Sequence, residues 1–420
     1  MRQKHRYYMT DNPFVTSGYA GPEYFCDRVE ETQTLVDLLT NGNNVALISP
    51  RRLGKTDLIH HCFNQLEMLD DYYTFIIDIY ATDSVSDFVN VLGKSILDSL
   101  KPKGRKAWEV FLNALRSVRS EITFDINNNP VWGIGVGATE SPSVTLDEIF
   151  EYLGNADRHC FVAIDEFQQI TRYKDNKNIE AMLRTYIQRC PNATFVFSGS
   201  QRHLMGEMFV SPSRPFYQST TIFNLHAIPL DKYTEFAERQ FAINGNRKIS
   251  RDVVEAIYNQ FNGVTSYLQK IMNILYMKTS PGTTCHYEMI ESAIQSYLQL
   301  STDTYEALLC QMPEKQRNVF LAIASERRAK AISSAAFVKK YNLPSASSVV
   351  SAIKGLVEKD FVTHEKNEYY VYDLFFQLWI EKCYCHSHKE VKSQKHFDSF
   401  FHKSLSKLLF FKNRCKNILN

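Results

Sequence analysis

Four short apolar runs mark the first half of the chain: Asn44-Val-Ala-Leu-Ile-Ser49, Tyr73-Thr-Phe-Ile-Ile-Asp-Ile-Tyr80, His159-Cys-Phe-Val-Ala-Ile-Asp165 and Ala193-Thr-Phe-Val-Phe-Ser198. Stretches with helical spacing separate them, one from Lys55 to about Leu69 and another starting near Ser84 or Ser86. Runs this short and this continuously apolar suit strands buried on both faces, as in a parallel sheet covered by crossover helices. The pattern therefore predicts an α/β domain. The segment from Glu121 to Thr139 breaks the rhythm. Ile122, Phe124 and Ile126 alternate, an Asn-Asn-Asn-Pro turn follows, and Trp132, Ile134 and Val136 alternate again, which predicts an inserted β-hairpin.

The second half reads differently. From about Leu230 to Leu300 the spacing is helical, with no strand-like run, and predicts an all-helical lid. Between residues 306 and 380 come three helices, near Glu314 to Ser325, near Ser333 to Tyr341, and from the Leu343-Pro-Ser345 cap to about Lys359. Two strand-like pieces, Phe361-Val-Thr363 and Tyr369-Tyr-Val-Tyr372, then flank a polar turn, completing the pattern of a winged helix-turn-helix. The expected organisation is an α/β domain over residues 1–225, a lid over 226–305, a winged helix over 306–380 and a tail over 381–420.

Chemistry enters at the first strand's end. Ser49-Pro-Arg-Arg-Leu-Gly-Lys-Thr56 matches G-x-x-x-x-G-K-[ST] at every position but the first, where serine stands for glycine. Such a loop, between a strand and a helix, turns its backbone N–H groups and the helix's positive end toward phosphates. Ser49, Pro50, Arg51, Arg52, Leu53 and Gly54 would form the cradle, with Asp57 in the helix's opening turn. Lys55 would reach the β- and γ-phosphates of ATP, and the Thr56 hydroxyl would ligate Mg²⁺. A second feature fits the first: Phe161-Val-Ala-Ile-Asp-Glu166 ends in two carboxylates at a strand's carboxyl end, where α/β sheets bind ligands. Asp165 would hold the Mg²⁺ shell, and Glu166 would deprotonate the attacking water. After the fourth run, Ser198-Gly-Ser200 offers a γ-phosphate sensor, with Ser198 preferred and Ser200 the alternative, while Arg51, Arg52 and Arg214 are candidates to neutralise transition-state charge.

Composition and charge narrow the class. With 420 residues, 44% hydrophobic and 22% charged, the chain suits two or three domains. No uncharged apolar run approaches the roughly 20 residues that cross a bilayer, the basic N-terminus lacks a secretory signal's apolar core, and a cytoplasmic protein with no membrane partner is expected. Nine cysteines, scattered without paired spacing, read as reduced thiols. Net charge is +2, yet residues 381–420 carry +6 and the first 380 residues −4.

Together these residues resemble a known family, the archaeal-type ATPases of the MNS clade of STAND P-loop NTPases, close to AAA+ proteins. The resemblance spans roughly residues 10–380. It rests on Tyr24-Phe-Cys-Asp-Arg-Val-Glu-Glu31, Pro50-Arg-Arg-Leu-Gly-Lys-Thr56, Ile164-Asp-Glu-Phe-Gln168, Phe197-Ser-Gly-Ser200, Phe261-Asn-Gly263, Leu343-Pro-Ser-Ala-Ser-Ser-Val349 and Tyr372-Asp-Leu-Phe-Phe-Gln-Leu-Trp379. It implies that the box holding Phe25 and Arg28 packs near the adenine, that the lid closes over nucleotide, and that the protein acts as an ATP-driven switch. Two positions depart from the family pattern. Pro-Leu-Tyr-Gly-Arg becomes Pro215-Phe-Tyr-Gln-Ser219, so an arginine is missing unless Arg214 substitutes, and the lid's Gly-x-Pro becomes Gly263-Val-Thr265.

The partner candidates follow from the C-terminal third. A winged helix reads duplex DNA with its third helix, here offering Ser347, Ser348, Ser351 and Lys354 but no arginine, so phosphate contact aided by the basic tail is expected rather than base readout. A protein partner and a homo-oligomer are the other candidates. Cys383-Tyr-Cys-His-Ser-His388 is too crowded for structural zinc, which takes ligand pairs a dozen or more residues apart, and Gly133-x-Gly135-x-Gly137 has no helix behind it.

Overall fold

The structure, a computed structural model, describes residues 12–65, 71–118, 121–133 and 142–385, without the side chains of 384 and 385. It divides between Tyr287 and Glu288 into two compact units.

In chain order the first unit has α1 (Val29–Thr40), β1 (Val45–Ile48), α2 (Lys55–Phe63), β2 (Tyr72–Asp78), α3 (Val85–Leu100), α4 (Arg105–Ala114), β3 (Ile122–Phe124), β4 (Pro130–Trp132), α5 (Pro142–Asn155), β5 (His159–Asp165), α6 (Asn176–Gln188), β6 (Ala193–Gly199), α7 (Arg202–Val210) and β7 (Thr221–Asn224). The lid segment continues with α8 (Leu230–Ala242), β8 (Lys248–Ile249), α9 (Arg251–Gln260), α10 (Thr265–Lys278) and β9 (Thr284–Cys285).

The main sheet is parallel with the order β2-β5-β6-β1-β7. Its strand period of two sorts the apolar residues onto two faces. Ala46, Phe75, Ile77, Val162, Phe195 and Phe197 join one core with α3 to α6, and Val45, Leu47, Phe161, Ala163 and Val196 join the other with α1 and α2. The four strands read from apolar runs are β1, β2, β5 and β6. The fifth, β7, pairs with β1 at the sheet's edge, and its exposed or half-buried residues give no apolar run to read.

Local signals start the helices. The Ser84 hydroxyl accepts from the Asp87 N–H at 3.2 Å and donates to its carboxylate at 2.6 Å, fixing the start of α3. The inserted hairpin forms over Ile122–Trp132, with Ile122 opposite Trp132, while Ile134, Val136 and the glycines at 135 and 137 lie outside the described residues. In the lid segment, β8 and β9 form a two-residue parallel pair that helical spacing did not announce.

The second unit holds α11 (Met289–Gln311), α12 (Glu314–Glu326), β10 (Ala329–Lys330), α13 (Ala335–Lys340), α14 (Ala346–Glu358), β11 (Val362–Glu365), β12 (Glu368–Val371) and α15 (Leu374–Ile380). The 23-residue α11 runs through position 305, where lid was expected to give way to winged helix. The three expected helices are α12, α13 and α14, the latter two capped by Ser334 and Ser345, and the wing β11–β12 gains a third strand, β10. Tyr305 stacks on Phe376 at 4.7 Å in this unit's core. Most of the tail, and His386 and His388, fall outside the described residues. Among those described, no helix is long and apolar enough to cross a membrane, and the cysteines are free thiols.

Candidate functional site

The loops leaving the carboxyl ends of β1 and β5 open on a cavity of about 380 Å³, within the range of small-molecule sites. β1 ends in the phosphate loop, which turns into α2 at Gly54. Its φ of 86° lies in the left-handed region that a side chain resists. Arg52 and Glu166 adopt the same region without that freedom, at φ 71° and 55°. Non-glycine strain of this kind costs roughly 1–3 kcal/mol and clusters at functional sites.

Lys55 is 6% exposed and donates from Nζ to the carbonyls of Ser49 and Pro50 at 3.3 and 3.4 Å. Burial pulls its pKa below the usual lysine value, and the nearby Glu166 and Asp165 oppose that pull. The Thr56 hydroxyl donates to Asp165 Oδ2 at 2.6 Å, although β6 separates β1 from β5, and Asp165 Oδ1 accepts from the Glu166 N–H at 2.9 Å. A hydroxyl and a carboxylate converging this closely are hard oxygen donors of the kind Mg²⁺ takes, so these residues fit that ion.

Glu166 is held by neighbours. Its Oε2 accepts from Gln168 Nε2 and from the Ser200 hydroxyl, the latter at 2.8 Å. Ser200 accepts in turn from Arg51 Nε at 3.1 Å, and the Arg51 guanidinium lies 5.6 Å from the Tyr80 ring centre. The structure thus brings Ser200, rather than Ser198, to the Glu166 carboxylate. β6 runs on to Gly199, so Ser198 is still inside the sheet, fully buried, with no hydrogen-bond partner for its hydroxyl.

The other candidate residues divide between the loop's surroundings and elsewhere. Arg28 is 2% exposed. It lines the cavity, donates to the carbonyls of Leu53 at 3.3 Å and His226 at 2.6 Å and pairs with Glu31 at 2.6 Å, so it braces the loop. Phe25 lines the cavity and stacks on His61 at 4.2 Å, with Tyr19 edge-on. Asp57 is half-buried, and burial raises its pKa. Arg52 reaches the lid: its guanidinium bonds the Tyr267 hydroxyl and lies 5.0 Å from that ring's centre, and its carbonyl accepts from the Ser266 N–H at 3.1 Å. Arg214 is not among the residues lining the cavity. It forms a buried ion pair with Glu180, with Glu207 3.6 Å away.

Several lining residues were not read from the sequence: Tyr19 in a segment from Val15 to Gly21, and Thr265, Ser266 and Gln269 on α10. That segment is anchored by Phe14, fully buried against Phe236 and Phe241 of the lid. The sequence signal available was Asn12-Pro13-Phe14 ahead of Gly18 and Gly21, both at positive φ.

Comparison with known proteins places the fold. The family model for ATPase domains predominantly from Archaea matches residues 25–271, and a winged helix domain model matches 303–382. The chain belongs to this ATPase family, a nucleotide-binding P-loop domain here joined to a winged helix. The Walker-type ATPase of Pyrococcus abyssi is 17% identical with a TM-score of 0.58, over 88% of this chain and 99% of that one. The Orc2 protein of Aeropyrum pernix, solved as ADPNP–ADP complexes, is 12% identical with a TM-score of 0.54, over 88% and 96%. The Orc1 protein of Aeropyrum pernix, solved in complex with DNA, is 11% identical with a TM-score of 0.51, over 89% and 96%. No curated protein sequence matches the chain.

Proposed function

We propose that this protein is an ATP-hydrolysing molecular switch of the STAND and AAA+-like type, in which nucleotide state repositions the lid and the winged helix. The observation that carries the reading is the 2.6 Å contact between Thr56 and Asp165, made at a cavity that Lys55 and Glu166 also line or border. In this reading Lys55 leaves the loop carbonyls and places its charge on the β- and γ-phosphates. Thr56 and Asp165 would hold Mg²⁺, which would supply further neutralisation of the triphosphate. Glu166 takes the proton of the attacking water, and Arg51, linked to it through Ser200, is the arginine placed to neutralise transition-state charge.

Phosphate release should fall to background in Lys55→Ala and in Glu166→Gln, with Glu166→Gln still binding ATP. Equal turnover in wild type and Glu166→Gln sinks the catalytic assignment.

A second reading is a nucleotide-stabilised regulator with negligible turnover. It is favoured by Arg214, the candidate for the missing family arginine, being committed to Glu180. Tight ATP binding without measurable phosphate release would decide for it.

Duplex DNA is the proposed partner of the winged helix, through phosphate contacts. The Orc1 relative is solved with DNA, and α14 exposes Ser347, Ser351 and Lys354. It also exposes Val350 and Val357, and this mixed face with one cation suits weak, sequence-independent contact or a protein partner.

A further inference from the structure

The lid side of the cavity carries polar atoms that the fold leaves unsatisfied. α10 contributes Thr265, Ser266 and, one turn on, Gln269 to the wall. Gln269 is 9% exposed and its Oε1 has no hydrogen-bond partner, and the buried Thr265 hydroxyl has none either. A buried carbonyl oxygen without a partner is costly, and Gln269 carries one on a residue of the cavity wall, where a bound ligand can bring the missing donor. Three of the helix's first four N–H groups are already taken. The Ser266 N–H donates to the Arg52 carbonyl, and the N–H groups of Tyr267 and Leu268 turn to Val264.

The chemistry of the orphan atom selects its ligand. Gln269 Oε1 can only accept, so it needs a donor. The phosphate oxygens of a nucleotide near neutral pH are acceptors, whereas ribose hydroxyls and an exocyclic amine donate. Position agrees, because Ser266 is clipped to the phosphate loop and Gln269 lies three residues, about 4.5 Å, further along α10.

We infer that Gln269, assisted by Thr265, is the residue through which the lid recognises the nucleoside of bound ATP. Its Oε1 accepts from a ribose hydroxyl or from the adenine amine. This rests on the nucleotide-binding reading of the same cavity and makes Gln269 specificity-determining: the lid seats on a nucleoside and ignores bare phosphate.

The test is a calorimetric titration of the full chain with ATP, 2′-deoxy-ATP, 3′-deoxy-ATP, purine riboside triphosphate and inorganic tripolyphosphate. Wild type is compared with Gln269→Leu and Gln269→Met, alongside ligand-free melting. Gln269→Leu should weaken ATP roughly tenfold, leave tripolyphosphate affinity unchanged, and leave the ligand-free melting temperature equal or higher. One analogue, a deoxy-ATP for a hydroxyl or purine riboside triphosphate for the amine, should bind wild type about tenfold more weakly than ATP and be indistinguishable from ATP in the variant. The inference is overturned by equal ATP affinity in wild type and variant, by equal loss for ATP and tripolyphosphate, by a wild type that treats every analogue like ATP, or by destabilisation of both ligand-free variants. A wild type that binds neither ATP nor tripolyphosphate removes the nucleotide reading itself.

Discussion

Arg214 takes its role from the charge it neutralises. Glu180 is fully buried, and even with the guanidinium beside it burial pushes its pKa up to about 7. Removing one partner of a buried ion pair leaves a charge without compensation, at a cost of about 3–5 kcal/mol. Arg214→Ala should therefore lower stability by that order, and Glu180→Gln in the same chain should restore part of it. The pH dependence has a fixed sign. A carboxyl whose folded pKa lies above its unfolded value favours the fold below the unfolded pKa and loses that contribution as pH rises through the folded one. The Arg214→Ala deficit should be smallest near pH 5 and grow through pH 7, which melting at pH 5, 7 and 8 would show; a deficit independent of pH contradicts the assignment. Ser200 makes the complementary prediction. Losing its bond to Glu166 should lower kcat about tenfold, since a hydrogen bond to a charged group contributes roughly 1.5–3 kcal/mol, with ATP affinity kept. Ser198→Ala should change kcat less than about twofold. The reverse order would return the sensor role to Ser198.

These residues also mark what could be read in advance. Lys55, Thr56, Asp165 and Glu166 were legible because a motif and a strand end each fix a position along the chain. Ser200 was not, because choosing between two serines depends on where β6 stops. The structure brings Ser200 to Glu166 and keeps Ser198 within β6, and the turn-off between them is Gly199, where an added Cβ would lie 2.3 Å from Met205 Sδ and 2.5 Å from Gln168 Oε1. Arg214 was uncertain for a different reason, since only three-dimensional packing shows that Glu180 captures it.

At the scale of elements, period and punctuation carried most of the reading. Continuous apolar runs gave four strands, and the edge strand β7 escaped because water wets it. Packing between elements remained invisible, and Gly93 illustrates this. A glycine inside α3 should favour replacement by alanine by up to about 1 kcal/mol. Here the added Cβ would lie 2.2 Å from Trp132 Cη2, where the inserted hairpin plugs into the helix. Overpacking costs about 1–3 kcal/mol and should win. Gly93→Ala is expected to lower the melting temperature, and a rise would mean the hairpin yields freely. The lid makes a second element-scale prediction. Arg52 joins the loop to α10 through a hydrogen bond and a ring contact, so Arg52→Ala should speed nucleotide release several-fold in a stopped-flow chase, cation–π contacts contributing roughly 0.5–1 kcal/mol.

At the scale of the whole molecule, organisation was legible where pattern changed character and blurred where one helix crossed the change, as α11 does. Charge distribution bears on the partner. If duplex DNA binds through phosphates, affinity should fall linearly with log salt at about −0.9 per contact, and Lys354→Ala should reduce the slope by about one. Absence of binding at low salt excludes the DNA role and leaves the mixed face of α14 to a protein.

The carbonyls of Arg52 and Leu53 are both spoken for, one by α10 and one by Arg28, whose other bond goes to the start of the lid segment at His226. A loop wired in this way would work as a two-way lever. Any factor by which ATP shifts the lid's equilibrium is, by thermodynamic reciprocity, the factor by which a load on the lid shifts ATP affinity. A partner that tugs on α10 would thus act as a nucleotide-exchange factor without touching the nucleotide.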